Sequence, residues 1–379
     1  MTTGNPQGRG FAGALGLYTA GGLFWAFLPF FVGFKVSSGG LSQAEAGSLG
    51  SAYLVGFSLA SLSALWWVSR FNWRALAAGA ALLVALALLL LARLESYAAS
   101  LITVLAIGLM MGGFWTVAYR IFAATPNPER SFGTGIVVSY SALALVSYVV
   151  GQYTIPAYGL TGSAYLLAAI ILLLGCSAMF IPGGDAGGNE QSVSNSYRPP
   201  LTIGIALLGI LLTGFAFASV WAFAERIGVI AGIETGLISA VIASNLLASA
   251  AGSVVASLLG TRYGRKLPLL LGMAAMLAAI AALNWASSFW LYAAGLAGLG
   301  FTVGLVLPYQ MGKLAALDTR QRFVVLIAAA QGIGSAGGPA LGGMAADTGG
   351  IGMLLALAGS AVLLGGIAFV LIMRREDEE

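Results

Sequence analysis

The sequence predicts an all-α integral membrane protein, with twelve transmembrane helices arranged as two pseudo-symmetric six-helix bundles. Three observations carry this. Of 379 residues, 59% are hydrophobic and only 8% are charged, against about 25% charged in a soluble domain. Such a chain cannot solvate a globular surface. Its apolar residues fall into runs of about 20, the length that crosses a bilayer as a helix. The first half of the chain also aligns with the second at one constant offset.

In chain order the twelve runs are 11–34, 44–68, 75–93, 98–122, 132–156, 162–182, 201–228, 235–259, 267–286, 288–312, 323–345 and 350–373. The first exceeds a signal-peptide core and reads as a span. Most connections are short. The exception is Gly183–Pro200, GGDAGGNEQSVSNSYRPP, polar and rich in Gly and Ser, as flexible linkers are. It divides the chain into a bundle at 1–182, a linker at 183–200 and a bundle at 201–379.

Basic residues orient the spans. With the N-terminus placed in the cytoplasm, Arg9, Arg70, Arg74, Arg120, Arg130, Arg198, Arg262, Arg265, Lys266, Lys313, Arg320, Arg322, Arg374 and Arg375 lie on or near that side. Only Lys35, Arg93 and Arg226 lie on the other. Cytoplasmic loops carry the excess of Lys and Arg, so both termini and the linker are expected in the cytoplasm.

Several function classes drop out. The chain has no histidine and one cysteine, Cys176. That removes intrachain disulfides, Ser-His and Cys-His nucleophile pairs, histidine zinc sites and histidine-ligated haem. No basic patch with interleaved aromatics suggests nucleic acid. Gln331–Gly343, QGIGSAGGPALGG, does contain G-x-G-x-x-G at Gly332, Gly334 and Gly337. A dinucleotide site also needs a β-α-β unit and an acid about 20 residues on. Asp347 comes too early, and the segment lies within a membrane span. No metal, cofactor or enzymatic activity is expected.

At an offset of 192, Gly22 meets Gly214, Phe31 meets Phe223, Gly40 meets Gly232, Arg70 meets Arg262 and Arg74 meets Lys266. Gly108 meets Gly300, Gly112 meets Gly304, Arg130 meets Arg322 and Gly151 meets Gly343. Two like-oriented halves imply a pseudo-two-fold axis along the membrane normal. Such repeats place a substrate site at their interface, near mid-membrane.

Two motifs point to a family. Arg262-Tyr263-Gly264-Arg265-Lys266 stands between the eighth and ninth spans and resembles the signature loop of the major facilitator superfamily, G-x-x-x-D-R-x-G-R-R/K. Ser257 and Thr261 replace the leading Gly and the Asp. The first-half loop, Ser69-Arg70-Phe71-Asn72-Trp73-Arg74, keeps two basic positions. Gly334-x-x-x-Gly338-Pro339-x-x-Gly342-Gly343 is similar to the family's antiporter-type motif g-x-x-x-G-P-x-x-G-G. The family carries that motif in the fifth helix; here it stands in the eleventh, and the fifth retains Gly151. Gly334, Gly338, Pro339, Gly342 and Gly343 are accordingly expected to serve close helix packing and bending. The resemblance implies a secondary transporter in a bacterial cytoplasmic membrane, working by alternating access on a small-molecule substrate, with protons as the expected coupling ion. A monomer is expected. Efflux or metabolite transport is the leading reading. Uptake of aromatic or organic acids and uniport remain open, with a non-transporting sensor or a membrane enzyme more remote.

In that family the first, fourth, seventh and tenth helices line the cavity. The candidates are Trp25, Trp115 and Tyr119 (i, i+4), Phe217 and Trp221 (i, i+4), and Tyr309 and Gln310 after Pro308. Tyr140, Asn245 and Gln331 add hydrogen-bonding groups on neighbouring helices. Such an aromatic, charge-poor lining suits a largely apolar or aromatic solute. Ionisable groups within spans are functional candidates by default, and they are few. Glu225 and Arg226 lie near the outer end of the seventh span, and Arg120 near the cytoplasmic end of the fourth. Glu225 is the candidate proton or gating carboxylate.

Overall fold

The computed structural model describes residues 6–184, 201–285, 288–317 and 326–378. The linker segment 185–200, with Arg198, and the basic residues Arg320 and Arg322 lie outside the described residues. So do 286, the last position predicted for the ninth span, 287, which precedes the tenth, and 323–325, the predicted start of the eleventh.

The described residues form twelve helical spans. α1 is Pro6–Ser37. α2 is Gln43–Leu62, extended by Ala64–Trp67. α3 is Trp73–Leu91, and α4 is Tyr97–Ala123. α5 starts as Pro128–Val149 and runs through a π turn, Val150–Thr154, to residue 158; α6 covers 160–180. α7 is Leu201–Ala222, continued by Ala224–Ile230 after an irregular Phe223. α8 is Thr235–Leu259, α9 Lys266–Asn284 and α10 Phe289–Leu317. The last helical stretch, Leu326–Glu378, breaks at Gly349 and Gly350 into α11 (326–348) and α12 (351–378).

Among the described residues, nine helices are long and apolar enough to cross a membrane, and two of them, at 51 and 48 residues, are double-length. With about 20 residues per crossing, these two are α5–α6 and α11–α12. The twelfth span, α2, is less apolar because it carries Ser48, Ser51, Ser58 and Ser61. It packs chiefly against α4 and α11, where small polar residues permit close approach. The chain is an integral membrane protein of the predicted class.

Helix starts follow local chemistry. The Ser42 hydroxyl accepts from the Glu45 amide while the Glu45 carboxylate accepts from the Ser42 amide, a reciprocal cap for α2. Asn72 and Ser96 cap α3 and α4. Helix ends differ from expectation at two places. The sequence predicts short loops at 157–161 and 346–349. The chain instead turns at Gly159 (φ 60°) and Gly350 (φ 71°), left-handed conformations that glycine adopts without a Cβ clash. Two hairpins are thereby closed almost without a loop.

Twelve crossings bring both ends of the described chain to one face, called here the terminal face; the opposite face is distal. The predicted repeat is visible as contact geometry. A Cβ on Gly108 would run into the Tyr53 carbonyl, and one on Gly300 into the Asn245 carbonyl. Gly112 seats on Phe57 and Gly304 on Ser249 in the same way. Each contact maps onto its partner by the same shift of 192 residues. The seam α2–α4 is therefore rebuilt as α8–α10.

The motif helix α11 presents two faces. Gly334, Gly338 and Gly342 form one stripe, seated on Leu211, Phe215 and Ser219 of α7. The Ser219 hydroxyl donates to the Gly338 carbonyl at 3.0 Å. Pro339 and Gly343 face α2, against Gly47, Gly50 and Gln43, and the Ala340 amide donates to the Ser51 hydroxyl at 2.9 Å. One face thus builds the C-terminal bundle, and the other joins it to the N-terminal bundle.

Candidate functional site

Contacts between the two bundles concentrate in α2–α11, α5–α8 and α1–α7. The α2–α11 contacts just described, with Gly151 against Ser239 and Gly236 against Gln152 between α5 and α8, lie toward the distal ends of these helices. The distal face is closed.

Below this closure lies an aromatic wall. Pro29 interrupts α1, and a proline has no N–H to give the carbonyl four residues before it. That carbonyl belongs to Trp25. A polar group without a partner is costly in a membrane interior, and here the Trp221 indole N–H of α7 supplies the missing bond at 3.0 Å. The Trp25 and Trp221 rings lie 5.7 Å apart, and Phe217 stacks on Trp221 at 6.2 Å with 10° between planes. Trp25, Phe217 and Trp221, three predicted residues, are thus brought together across the two bundles.

Two helical turns nearer the terminal face, on the same side of α1, stands Tyr18. Its ring lies 4.7 Å from Trp115 and 5.5 Å from Tyr119. The Trp115 indole donates to the Tyr18 carbonyl at 2.9 Å. Tyr140 on α5 lies within interaction range of Tyr18 and Tyr119, and Tyr18 and Tyr119 hydrogen-bond through their hydroxyls. Tyr119 remains 40% exposed, while Tyr18 is buried. Trp115, Tyr119 and Tyr140 are therefore also convergent. The sequence reading missed Tyr18, although its i, i+7 relation to Trp25 puts both on one face of α1.

The other candidates lie elsewhere. Asn245 is fully buried in the α8–α10 seam and donates to the Leu296 carbonyl at 2.6 Å. Gln310 is fully buried and donates to the Thr213 hydroxyl at 2.8 Å, tying α10 to α7. Tyr309 donates to the Gly260 carbonyl at 2.9 Å, tying α10 to the end of α8. Gln331 is half-buried, its backbone against Gly214 of α7. Arg120 is half-buried in the last turn of α4.

Glu225 and Arg226 open the short helix after Phe223. The Glu225 carboxylate lies against Gly33 of α1, across the bundle interface. Its Oε2 and the Arg226 Nε are buried without a hydrogen-bond partner among the described residues. The Tyr292 hydroxyl, beside this pair, donates to the Ala224 carbonyl at 2.9 Å. In the signature loop, Gly264 turns the chain, Arg262 lies over the Tyr263 ring, and Arg265 reaches Gly312 near the end of α10. Lys266 is the first residue of α9.

Two six-helix bundles thus meet across an aromatic cluster and close over it at the distal face. Residues 201–379 match the sequence model of the Major Facilitator Superfamily. The fold matches a variant of the nucleoside transporter NupG with a TM-score of 0.77 and 13% identity, over 97% of this chain and 100% of that one. A second NupG structure matches with a TM-score of 0.72 and 13% identity, over 97% and 99% of the two chains. The human organic anion transporter MFSD10 (TETRAN) matches with a TM-score of 0.64 and 16% identity, over 96% and 99%. No curated protein matches by sequence. Residues 201–379 therefore carry the sequence pattern of that superfamily, and the chain as a whole shares the fold of these solved structures.

Proposed function

We propose that this protein is a secondary transporter that carries a small, largely apolar or aromatic organic solute by rocker-switch alternating access, coupled to protons. In this reading the terminal face is cytoplasmic, residues 1–182 and 201–379 are the moving bodies, and 183–200 is a cytoplasmic linker. The membrane is a bacterial cytoplasmic membrane, and the structure corresponds to an inward-facing state. The observation that carries the reading is the aromatic wall itself. Tyr18, Trp115 and Tyr119 from one bundle, and Trp25 with Phe217 and Trp221 from both, stand beneath the distal closure as a set of rings with no charged side chain among them. Flat, neutral rings are complementary to such a lining.

Within that class a neutral heteroaromatic solute is the first to test. NupG, a fold neighbour, is described as a nucleoside transporter. The MFSD10 likeness makes an organic anion the second, favoured by the buried Arg226 Nε, which has no hydrogen-bond partner among the described residues. Purified protein in proteoliposomes is expected to take up one of these classes, with a rate that responds to an imposed pH gradient. Uptake of neither, over a panel including sugars and amino acids, overturns the substrate reading. Glu225→Gln is expected to abolish the response to the pH gradient while leaving solute exchange without a gradient. An unchanged gradient response removes Glu225 from coupling.

A further inference from the structure

We infer that Asp347 is a positioning residue, the latch that holds the distal gate shut. Asp347 ends α11, in the C-terminal bundle. Its two carboxylate oxygens accept from the backbone amides of Gln43 and Ala44, the first residues of α2 in the N-terminal bundle, at 2.9 Å and 2.8 Å. A helix start offers donors with no partner in their own helix, together with the positive end of its dipole. An anion there accepts charge-assisted bonds, which are stronger than neutral ones.

The division of labour at this helix start is specific. Glu45 is satisfied by Ser42 through the reciprocal cap, and Ala46 donates to the Ser42 carbonyl. Both of these partners belong to the same bundle. Only the Gln43 and Ala44 amides are held from across the interface. When the gate opens, those two bonds pass to water while the cap stays in place. The latch releases without unwinding α2. The surrounding seam is built for close approach, with Gly343 on Gln43 and Gly47 on Pro339.

The device is present on one side only. Shifting Asp347 by 192 gives Ile155, and shifting Gln43 gives Thr235. Ile155 has no carboxylate, so the α5–α8 seam has no counterpart of this latch. Asp347 therefore sets the position of the gate equilibrium without touching solute.

The inference rests on the alternating-access reading, and its test separates the two. The reporter is Ser239→Cys, in the distal α5–α8 seam, fully buried in the closed form. It is placed in a Cys176→Ser background, which removes the one native cysteine. Protein in nanodiscs is labelled with a charged maleimide, and circular dichroism checks folding. Asp347→Ala and Asp347→Asn are expected to raise the labelling rate roughly fivefold, the shift that loss of one net hydrogen bond produces. Asp347→Glu, which keeps a carboxylate, is expected to label more slowly than Asp347→Ala; equal rates overturn the carboxylate's role. Gly47→Leu wedges the α2–α11 seam open and serves as control. If the wedge accelerates labelling and the Asp347 variants do not, the latch is wrong and alternation stands. If neither does, the seam does not open, and both readings fall.

Discussion

Pro29 decides the contact at the centre of the molecule. By withholding its N–H it leaves the Trp25 carbonyl open, and the Trp221 indole fills the vacancy from the other bundle. Two residues that look like separate aromatics in the sequence are one hydrogen-bonded unit. Trp221→Phe keeps an aromatic ring, though a smaller one, and removes the donor; the unsatisfied buried acceptor is expected to cost about 1–3 kcal/mol, with the lost ring volume adding to it. In a Pro29→Ala background the helix supplies its own N–H, so the same Trp221→Phe change is expected to cost distinctly less. Thermal unfolding of the four proteins in detergent measures the difference; equal costs would show that the indole contributes by packing alone. The i, i+4 spacing of Phe217 and Trp221 and of Trp115 and Tyr119 was legible, because helical period alone puts such pairs on one face. What joins them was not legible. Tyr18 owes its place to α1 lying against α4, and Asn245 spends its amide on a neighbouring helix instead of a cleft. Both outcomes depend on tertiary packing that no local pattern encodes.

For the elements, glycine position matters more than glycine number. Gly108 and Gly300 sit where a side chain would meet a facing backbone carbonyl, whereas Gly113, one position from the Gly112 seat, faces open space. Gly108→Leu and Gly300→Leu are each expected to destabilise by several kcal/mol, since backbone must move to admit the new atoms (about 1–3 kcal/mol for overpacking alone, with lost helix contacts added). Gly113→Leu is expected to be nearly neutral. Melting curves of the three variants test this, and a Gly113 variant as damaged as the others would refute the steric account. The twelve spans were readable because a bilayer demands apolar runs of nearly fixed length. The α5–α6 and α11–α12 turns were not, since a single left-handed glycine ends a helix without the polar residues that usually mark a loop. The glycines of Gln331–Gly343 likewise resembled a phosphate cradle locally, and only their partners on α7 and α2 identify them as a two-sided packing surface.

At the level of the whole molecule, the two bundles meet over a closed distal face, opposite the face that holds both termini. A cysteine replacing Asn189, within the linker, is expected to react with an impermeant maleimide only from the cytoplasmic side of oriented vesicles; external reaction would invert the proposed topology. The proposed orientation rests on the charge asymmetry of the sequence, because positive residues are retained where the protein is synthesised. The solute and direction of the proposed transport were not readable, because they depend on side chains that only the packing of both bundles brings together.

The twin seats of Gly108 on Tyr53 and Gly300 on Asn245 carry a consequence for how the protein tolerates change. The same steric demand is imposed twice, at places far apart in the chain. In a saturation-mutagenesis survey scored by surviving protein, the profile of the first bundle should reproduce itself further along the chain, shifted by 192 residues. The correspondence should be sharpest at these seats and lost at Asp347 and Ile155. Such a map, autocorrelated against itself, would record an ancestral duplication in the currency of fitness, independently of how far the two amino-acid sequences have drifted.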